Sequence, residues 1–303
     1  MNSLPKVSVV MASWNRRDEI RETLTELQQQ DYPDFEVIVV DNNSQDGSAE
    51  LIEEEFRDVR LIRLPRNIGT DSRNIGIANA RGEIVVFLDD DAILEKDWIG
   101  KAANKFDKEP QVAILASRIL NYYTKEISDW IYETDANTFG DREFETFNFV
   151  GCAAAIRKSA LDKVGLFPEE NFLYGEEGDL SIRIIDLGYE IRYYPDLIAY
   201  HRIPSGQNVR INKRRMYYLT RNTIWHYWKY YPLSVALIAS FFRIPHNLKS
   251  AFGLHYSRVY LKAVLDAFLA LPKILKKRKP VKKETLRKVS TPKLKWLIKM
   301  LFW

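Results

Sequence analysis

Two clusters of acidic side chains are the residues of this chain that could do chemistry. The first, Asp89, Asp90 and Asp91, directly follows the apolar run 84–88. Three adjacent carboxylates repel one another, so the arrangement is costly unless a cation offsets their charge. Hard divalent ions such as Mg²⁺ take one or two carboxylates and add phosphate oxygens and water. The residues alone leave two interpretations open, a metal and phosphate site or an exposed acidic turn.

The second cluster is Glu176 and Glu177, between Gly175 and Gly178 at the start of an amphipathic helical pattern. Paired carboxylates can keep one member ready to act as a general base. Acidic residues in the first turn of a helix are also favoured by the helix dipole, so a purely structural role stays open. The flanking glycines favour a close approach of the backbone to another group.

Three further residues carry weaker signals. His201 follows a strand-like run and could close a metal site with its imidazole, although a lone histidine is more often structural. Arg73 lies near the start of a helix and could pair with a diphosphate, with an ordinary surface arginine as the alternative. Cys152 is flanked by small residues, so we expect a buried apolar side chain rather than a nucleophile.

Alternating strands and helices must position these clusters. Short apolar runs predict strands, and apolar residues spaced three and four apart predict the helices between them. This alternation is typical of βαβ units in a mainly parallel sheet that is covered on both faces. The predicted strands are residues 7–12, 35–40, 59–64 and 83–88, and the predicted helices cover residues 20–27, 51–56 and 70–80.

The loops after the first, second and fourth of these strands are polar. Ligands of open α/β sheets bind beyond the carboxyl ends of the strands, so we expect residues 13–16, 41–44 and 89–91 to lie together. No glycine-rich phosphate loop follows the first strand, which argues against a dinucleotide oxidoreductase and a P-loop kinase. A phosphate ligand would therefore be handled by a metal and basic side chains.

The average composition hides a segregation of charge. The chain has 303 residues, 46% of them hydrophobic, and a formal net charge of +4. Residues 1–200 hold 22 basic and 39 acidic side chains, whereas residues 201–303 hold 23 basic and two acidic ones. The single cysteine excludes an intramolecular disulfide framework and fits a reducing compartment. We expect an acidic body joined to a basic C-terminal third.

The basic third mixes aromatic and apolar stretches with lysine and arginine. Stretches 233–242 and 259–275, the lysine-rich run 276–283 and the apolar end 296–303 are typical of segments in a membrane interface. The longest uncharged stretch, 230–242, is too short to span a bilayer, and we expect no secretory leader. The alternatives are a nucleic-acid-binding segment and a solvated tail packed on the acidic body.

Six segments of the chain match one known family, the family 2 glycosyltransferases with a GT-A-type fold, and most closely resemble its rhamnosyltransferase-like branch. They cover about residues 6–202 in order, which is far more specific than any single motif. Residues 217–222 also look like a segment often seen after this domain. The segments are VSVVMASWNRRDEI, FEVIVVDNNSQDGS, PRNIGTDSRNIGIANARGE, VVFLDDDAILEKDW, GCAAAIRKSALDKVGLFPEENFLYGEEGDLSIRI and YPDLIAYH.

The resemblance implies an α/β nucleotide-sugar-binding domain over residues 1–203, with a mixed, mainly parallel sheet flanked by helices. Residues 204–303 then form a basic helical extension. The implied donor is a nucleoside-diphosphate sugar linked to UDP or dTDP, and the implied cofactor is Mg²⁺ or Mn²⁺. The implied reaction is an inverting, metal-dependent transfer to a hydroxyl of a lipid-linked or polysaccharide acceptor in cell-surface glycan synthesis.

The resemblance also implies roles for residues of the first two loops. Ala12, Asn15 and Arg16 correspond to the loop that meets the nucleotide. Asp41 and Asn42 correspond to the pair that contacts the base, and the asparagine leaves uridine and thymidine both open.

Further implied roles concern the diphosphate and the metal. Arg73 matches a basic position near the diphosphate, and Asp89 to Asp91 match the D-x-D region. Asp90 is expected near the ribose, and Asp91 on the metal together with Asp89. His201 matches a histidine that is sometimes an additional metal ligand.

The last implied role is that of the general base. Glu176 and Glu177 occupy the position where the family usually has Glu-Asp, and the second acid is generally the base. Glu177 is therefore the expected base, while the longer glutamate side chain keeps Glu176 as the alternative.

These interpretations predict a cytoplasmic protein, peripheral on the inner face of the cell membrane. The basic third would face anionic lipids, where a lipid-linked acceptor is presented. We expect no nucleic acid partner, because the apolar stretches are too long for a plain nucleic-acid-binding tail. A tail helix could also pair two chains. The alternative function is a noncatalytic membrane- or nucleic-acid-binding protein that retains a nucleotide-sugar fold.

Overall fold

The computed structural model describes residues 5–203 and 212–289, and its first half alternates strands and helices as predicted. All four predicted strands and all three predicted helices are present, with bounds that differ by a few residues. The strands are β1 (Val7–Ser13), β2 (Phe35–Asp41), β3 (Arg60–Arg63), β4 (Ile84–Leu88), β5 (Ala92–Leu94), β6 (Val112–Asn121), β7 (Phe144–Thr146), β8 (Ala153–Arg157) and β9 (Glu190–His201). The helices of this part are α1 (Arg17–Leu27), α2 (Ser48–Glu55), α3 (Ser72–Asn79), α4 (Trp98–Lys108), α5 (Ala136–Phe139), α6 (Lys158–Val164) and α7 (Glu176–Asp186).

Within the described residues the strands form one nine-stranded sheet. Its order is β3-β2-β1-β4-β8-β6-β9-β5, and β7 pairs with β9. β1 is parallel to β2 and β4, and β2 is parallel to β3, as the alternation predicts. β8 is antiparallel to both β4 and β6, whereas the long β6 and β9 are parallel. The prediction of a mixed, mainly parallel sheet is confirmed.

Helices cover both faces of this sheet, which explains why its strands are apolar on both sides. Alternate residues of β1 pack in separate clusters, Met11 with Ile20 of α1 and Val10 with Ile77 of α3. A Cβ atom at Gly76 would lie 2.4 Å from a methyl carbon of Val10. Glycine therefore lets α3 pack directly against β1, next to the polar strand ends.

The basic third forms helices that follow the body. No helix in residues 5–203 or 212–289 combines the length and the apolar character needed to cross a bilayer. The apolar end 296–303 lies outside the described residues. The expectation of a helical extension is confirmed by α8 (Lys213–Tyr230), α9 (Leu233–Gly253), α10 (Ser257–Leu269), α11 (Leu271–Leu275) and α12 (Lys283–Val289).

A buried ion pair joins α8 to α7. The ammonium group of Lys229 donates to Asp179, and it lies 3.3 Å from Glu170. Asp179 also accepts hydrogen bonds from the Tyr230 hydroxyl at 2.9 Å and from Nε of Arg183 at 3.0 Å. Asp179 and Lys229 are only 2% and 3% exposed. Packing of basic helices on the acidic body, one of the alternatives for this region, is therefore observed for α8.

Replacing Asp179 by Asn should lower the free energy of unfolding by about 3 kcal/mol, because Lys229 and Arg183 would lose the buried carboxylate they share and Lys229 would keep only Glu170 as a counter-ion. Burial by itself raises the pKa of Asp179, but the charges of Lys229 and Arg183 outweigh it and hold the pKa below its ordinary value. The carboxylate therefore stabilises the fold above a pH of about 4, and this contribution is lost as the pH falls through the lowered pKa. Urea unfolding followed by tryptophan fluorescence at pH 7 and at pH 3 measures both effects.

The matched control is Asp162→Asn, which removes the exposed partner of Lys158. Exposed pairs contribute little, so the unfolding midpoint of this variant should stay near that of the wild type. Equal effects of the two substitutions, or a difference between wild type and Asp179→Asn that persists undiminished at pH 3, would contradict this role of the buried pair.

Candidate functional site

The polar loops after β1 and β2 interlock at one edge of the sheet, as predicted. The backbone N–H of Asn42 donates to the carbonyl of Ser13 at 2.8 Å. The backbone N–H of Asn15 donates to Oγ of Ser44 at 2.9 Å. Asn15 has a positive φ of 52°, a conformation that asparagine tolerates better than most residues. Ala12, the remaining predicted residue of the first loop, lies within β1 and is half-buried.

Asp41 and Asn42 differ in what they offer to a ligand. Asn42 is committed to the protein, because its side-chain amide donates to Ser72 at 2.9 Å and accepts from the backbone N–H of Ile68 at 3.2 Å. Asp41 accepts from the backbone N–H of Ser44 with one oxygen at 3.0 Å. Its other oxygen is buried without a hydrogen-bond partner in the described part of the chain. An unpaired buried acceptor is costly, so Asp41 is the member of the pair that a ligand could satisfy.

The three aspartates after β4 have different surroundings. Asp91 is buried, and its Oδ2 accepts from the Arg16 guanidinium at 3.0 Å, which joins the first loop to this cluster. Burial and the neighbouring charge of Asp91 raise the pKa of Asp90 to about 7. Burial alone would also raise the pKa of Asp91, but the hydrogen bond and charge of His201 and the charge of Arg16 lower it. An exposed acidic turn therefore does not describe this cluster.

The short strand β5 brings His201 to the aspartates, because Ala92 pairs with His201 at the end of β9. Nε2 of His201 lies 3.3 Å from Oδ1 of Asp91, and Nδ1 lies 2.8 Å from Oδ2 of Asp129. Asp129 is a site residue that the sequence patterns do not predict. One side-chain ligand atom each from Asp89, Cys152 and His201 also lie within 4.8 Å of one another.

Arg73 connects the two acidic clusters. It is only 6% exposed and its guanidinium pairs with Asp89, so the alternative of a surface arginine is wrong. A Cβ atom at Gly151 would lie 2.7 Å from Oε1 of Glu177 and 3.0 Å from Nη1 of Arg73. The glycine therefore leaves the space in which this carboxylate and this guanidinium approach each other. Both predicted clusters thus belong to one site.

The two glutamates of the second cluster are not equivalent. Glu176 is 4% exposed, and its Oε2 has no hydrogen-bond partner among residues 5–203 and 212–289. Burial and the charge of Glu177 raise the pKa of Glu176 to about 8, although Arg73 opposes this shift. Burial also raises the pKa of Glu177, again against Arg73. Glu176 is thus mostly protonated at neutral pH, while the half-buried Glu177 is the more accessible acid.

Helix α8 holds the loop that carries these glutamates, a contribution that local sequence patterns do not reveal. The side-chain amide of Asn222 donates to the carbonyls of Asn171, Leu173 and Tyr174 at 3.0, 2.8 and 2.7 Å. Tyr174 and Gly175 both have positive φ values, 62° and 85°, in the two residues before α7. Asn222 belongs to the segment 217–222, which resembles one often seen after this domain. Its partners lie 48 to 51 residues earlier in the sequence, so no local pattern indicates these hydrogen bonds.

A family model described as "Glycosyl transferase family 2" matches residues 8–165, more than half of the chain. The chain belongs to this family. The match includes the loops after β1, β2 and β4, and ends before Glu176 and Glu177.

Curated relatives of this family 2 member carry glycosyltransferase names. It is 27% identical to the probable glycosyltransferase YdaM of Bacillus subtilis, over 69% of this chain and 53% of the relative. It is also 27% identical to the uncharacterized glycosyltransferase MJ1057 of Methanocaldococcus jannaschii, over 78% of this chain and 86% of the relative. The chain thus spans about half the length of YdaM and most of MJ1057.

Solved structures of glycosyltransferases share the fold at low sequence identity. The mannosyltransferase PcManGT from Pyrobaculum calidifontis, in complex with GDP-Man and Mn²⁺, has a TM-score of 0.59 and 19% identity, over 99% of this chain and 80% of that one. S. aureus TarS 1-349, in complex with UDP-GlcNAc, has a TM-score of 0.62 and 19% identity, over 90% and 84%. The predicted GT-A-type fold is confirmed, and the rhamnosyltransferase-like branch stays a prediction.

Replacing Asn222 by Asp should loosen the loop before α7, because a carboxylate has the same shape but cannot donate to the three carbonyls. Hydrogen exchange read out by mass spectrometry should show about tenfold lower protection of amides in residues 171–177. The control is Asn104→Asp on the exposed side of α4, which should leave the loop unchanged. Equal protection in Asn222→Asp and wild type would mean that other contacts hold the loop.

Proposed function

We propose that this family 2 protein transfers a sugar from a nucleoside-diphosphate sugar to a hydroxyl group of an acceptor, with inversion at the anomeric carbon. The observation that carries the proposal is the position of Arg73 between Asp89 and Glu177. This arrangement puts a candidate base beside a cluster suited to a cation and a diphosphate. Two adjacent acids in such different surroundings, one buried and one half-buried, are typical of a site that moves protons.

The donor side of the proposal rests on the strand-end loops. Asp41 has the unpaired acceptor oxygen for a nucleoside, and Asn15 and Arg16 border the same edge of the sheet. Two solved structures that share the fold contain UDP-GlcNAc in one case and GDP-Man with Mn²⁺ in the other, which supports a nucleotide-sugar donor. UDP and dTDP are the nucleotides that we propose, since these are the ones that the family resemblance of Asp41 and Asn42 implies.

The residues present fit a hard divalent cation. Asp91 and His201 face each other at 3.3 Å, and Asp89 offers a further carboxylate in the same cluster. A thiol is a soft ligand, whereas Mg²⁺ and Mn²⁺ prefer hard oxygen ligands, so Cys152 is the member of this group least suited to them. We therefore propose that Asp91, Asp89 and His201 hold Mg²⁺ or Mn²⁺. When bound, such an ion supplies charge stabilisation for the departing diphosphate.

Glu177 is the proposed general base. It accepts the proton of the acceptor hydroxyl, whose oxygen attacks the anomeric carbon as the bond to the diphosphate breaks. A single displacement of this kind inverts the anomeric configuration. Arg73 lies beside the carboxylate and favours its charged form, while the protonated Glu176 spares it a second negative charge. The orphaned Oε2 of Glu176 is available to a polar group of either substrate.

Replacing Glu177 by Gln should lower sugar transfer by about a hundredfold or more, because the amide cannot take a proton. Release of the nucleoside diphosphate in a screen of donors and acceptors measures the transfer. Nucleotide binding should persist, seen as Mn²⁺-dependent thermal stabilisation by UDP or dTDP.

Glu176→Gln is the matched control for this substitution. It exchanges a protonated acid for a neutral amide of similar shape, so most of the activity should remain. The reverse order of effects would assign the base to Glu176. Near-normal turnover in both variants would contradict the proposed mechanism.

We also propose that residues 1–203 form the donor domain and that the extension 204–303 meets an anionic membrane surface, where a lipid-linked or polysaccharide acceptor of cell-surface glycan synthesis is presented. Large apolar side chains of α9 support this, since Phe241 and Phe242 are 73% and 63% exposed. Exposed apolar patches mark interaction surfaces, and the basic composition around them favours anionic lipid.

The double variant Phe241→Ser/Phe242→Ser should bind phosphatidylglycerol vesicles about tenfold more weakly, because two aromatic side chains no longer enter the interface. Co-sedimentation with vesicles measures the partition, which should also fall with added salt. The control is Tyr123→Ser/Ile131→Ser, which removes two exposed apolar side chains from the body. Unchanged partition of the α9 variant would remove this helix from the membrane contact.

A further inference from the structure

Helices α8 and α9 border a groove of about 290 Å³ that the donor site does not use. They are joined by two residues, and their lining side chains recur every three or four positions, so each helix gives one continuous stripe. The stripe on α8 extends from residue 212 to 227, which corresponds to about 22 Å along the helix. A stripe of this length suits an extended hydrocarbon chain better than a compact ring.

The lining of this groove is apolar apart from hydroxyl and amide groups and two arginines. Met216, Leu219 and Ile224 are among its apolar side chains, and no carboxylate of the described residues lines it. Arg215 and Arg243 are its only lining charges within the same residues. A ligand that suits this composition has a hydrocarbon chain and an anionic group.

The two arginines are not equivalent, because they lie near opposite ends of the groove. Nη1 of Arg243 donates to the Tyr227 hydroxyl at 2.5 Å, near the C-terminal end of α8. The guanidinium of Arg215 lies 5.2 Å from the ring centre of Tyr174, near the N-terminal end of α8. Among the described residues no carboxylate pairs with Arg215, whose side chain contacts the Tyr174 ring instead, so its charge is available to an anion.

Arg215 also relates the groove to the candidate base. Tyr174 is three residues before Glu177 and directly precedes Gly175, at the start of α7. A phosphate held at Arg215 would therefore lie beside the loop that carries the glutamates, while an attached hydrocarbon chain could extend along α8 away from it. Leu219 and Leu254 line the groove and are 40% and 36% exposed, so its rim is open to an apolar phase.

We propose that the groove between α8 and α9 is the binding site for the hydrocarbon chain of a lipid phosphate, with the phosphate at Arg215. The proposal rests on the proposed function, because it makes this lipid the anchor of the sugar acceptor. It selects the lipid-linked acceptor over the free polysaccharide. The hydrocarbon chain of the lipid lies in the groove, and the hydroxyl group to be glycosylated lies on the Glu177 side of the phosphate.

Two pairs of substitutions in the full polypeptide test the site of the hydrocarbon chain and the site of the phosphate separately. Thr223→Trp fills the groove, and Ser234→Trp adds the same side chain to the exposed side of α9 outside it. Arg215→Gln removes the lining charge, and Arg214→Gln removes the neighbouring exposed charge outside the groove. Dodecyl phosphate below its micelle concentration is the probe, titrated by calorimetry, with inorganic phosphate and dodecyl maltoside as comparison ligands.

We expect dodecyl phosphate to bind the wild type more tightly than either comparison ligand. Thr223→Trp and Arg215→Gln should each weaken this binding by about tenfold, and the two controls should stay within about twofold of the wild type. Partition onto phosphatidylglycerol vesicles should be unchanged in Thr223→Trp, since the groove is distinct from the general membrane contact. Thermal stabilisation by UDP or dTDP should be intact in all four variants. If the wild type itself shows no such stabilisation, the result counts against the donor site and not against the groove.

Four results would overturn the proposal. One is equal weakening by Arg214→Gln and Arg215→Gln, which would mean general charge attraction. Another is unchanged binding in Thr223→Trp, and a third is a change of oligomeric state in that variant by light scattering, which would assign the groove to a second copy. If dodecyl phosphate binds only after residues 296–303 are deleted, the groove would be assigned to that apolar segment of the protein instead of to a lipid.

Discussion

The buried guanidinium of Arg73 is the interaction on which the rest of the site depends. Acidic side chains from β4 and α7 converge at the same edge of the sheet, and their mutual repulsion in a poorly solvated space would oppose folding. Arg73 contacts Asp89 and lies beside Glu177, so it compensates both clusters at once. Gly76 and Gly151 make room for this, one by bringing α3 against β1 and the other by leaving space beside the guanidinium.

The same compensation of charge explains the segregation along the chain. Besides Arg183 of α7 itself, the cations that meet the acidic groups around α7 come from α8 and from the segment after α11. Lys229 neutralises Asp179 in the interior, and Lys277 meets Glu170 at 2.8 Å nearer the surface. Part of the basic third thus serves to pack these helices on the body.

The sequence predicts the elements whose signal is local. Strands β1 to β4 are apolar runs of ordinary length, and their carboxyl ends share an edge as a consequence of parallel pairing. β8 is different, because its alanines have little strand propensity and only its central position between β4 and β6 makes it a strand. The burial of Arg73 and the partners of His201 and Asn222 were also not predictable, since each depends on a contact between residues distant in sequence.

The three hydrogen bonds from Asn222 have a consequence for how such chains diverge. The loop before α7 takes its backbone conformation from a helix that follows the sheet, so the candidate base and the groove beside it share one structural support. A recombination that exchanged the C-terminal helices between relatives would carry the loop geometry along with the groove. The geometry of the groove and that of the loop before α7 would therefore be inherited as one unit, while the sheet edge around Asp41 could vary on its own.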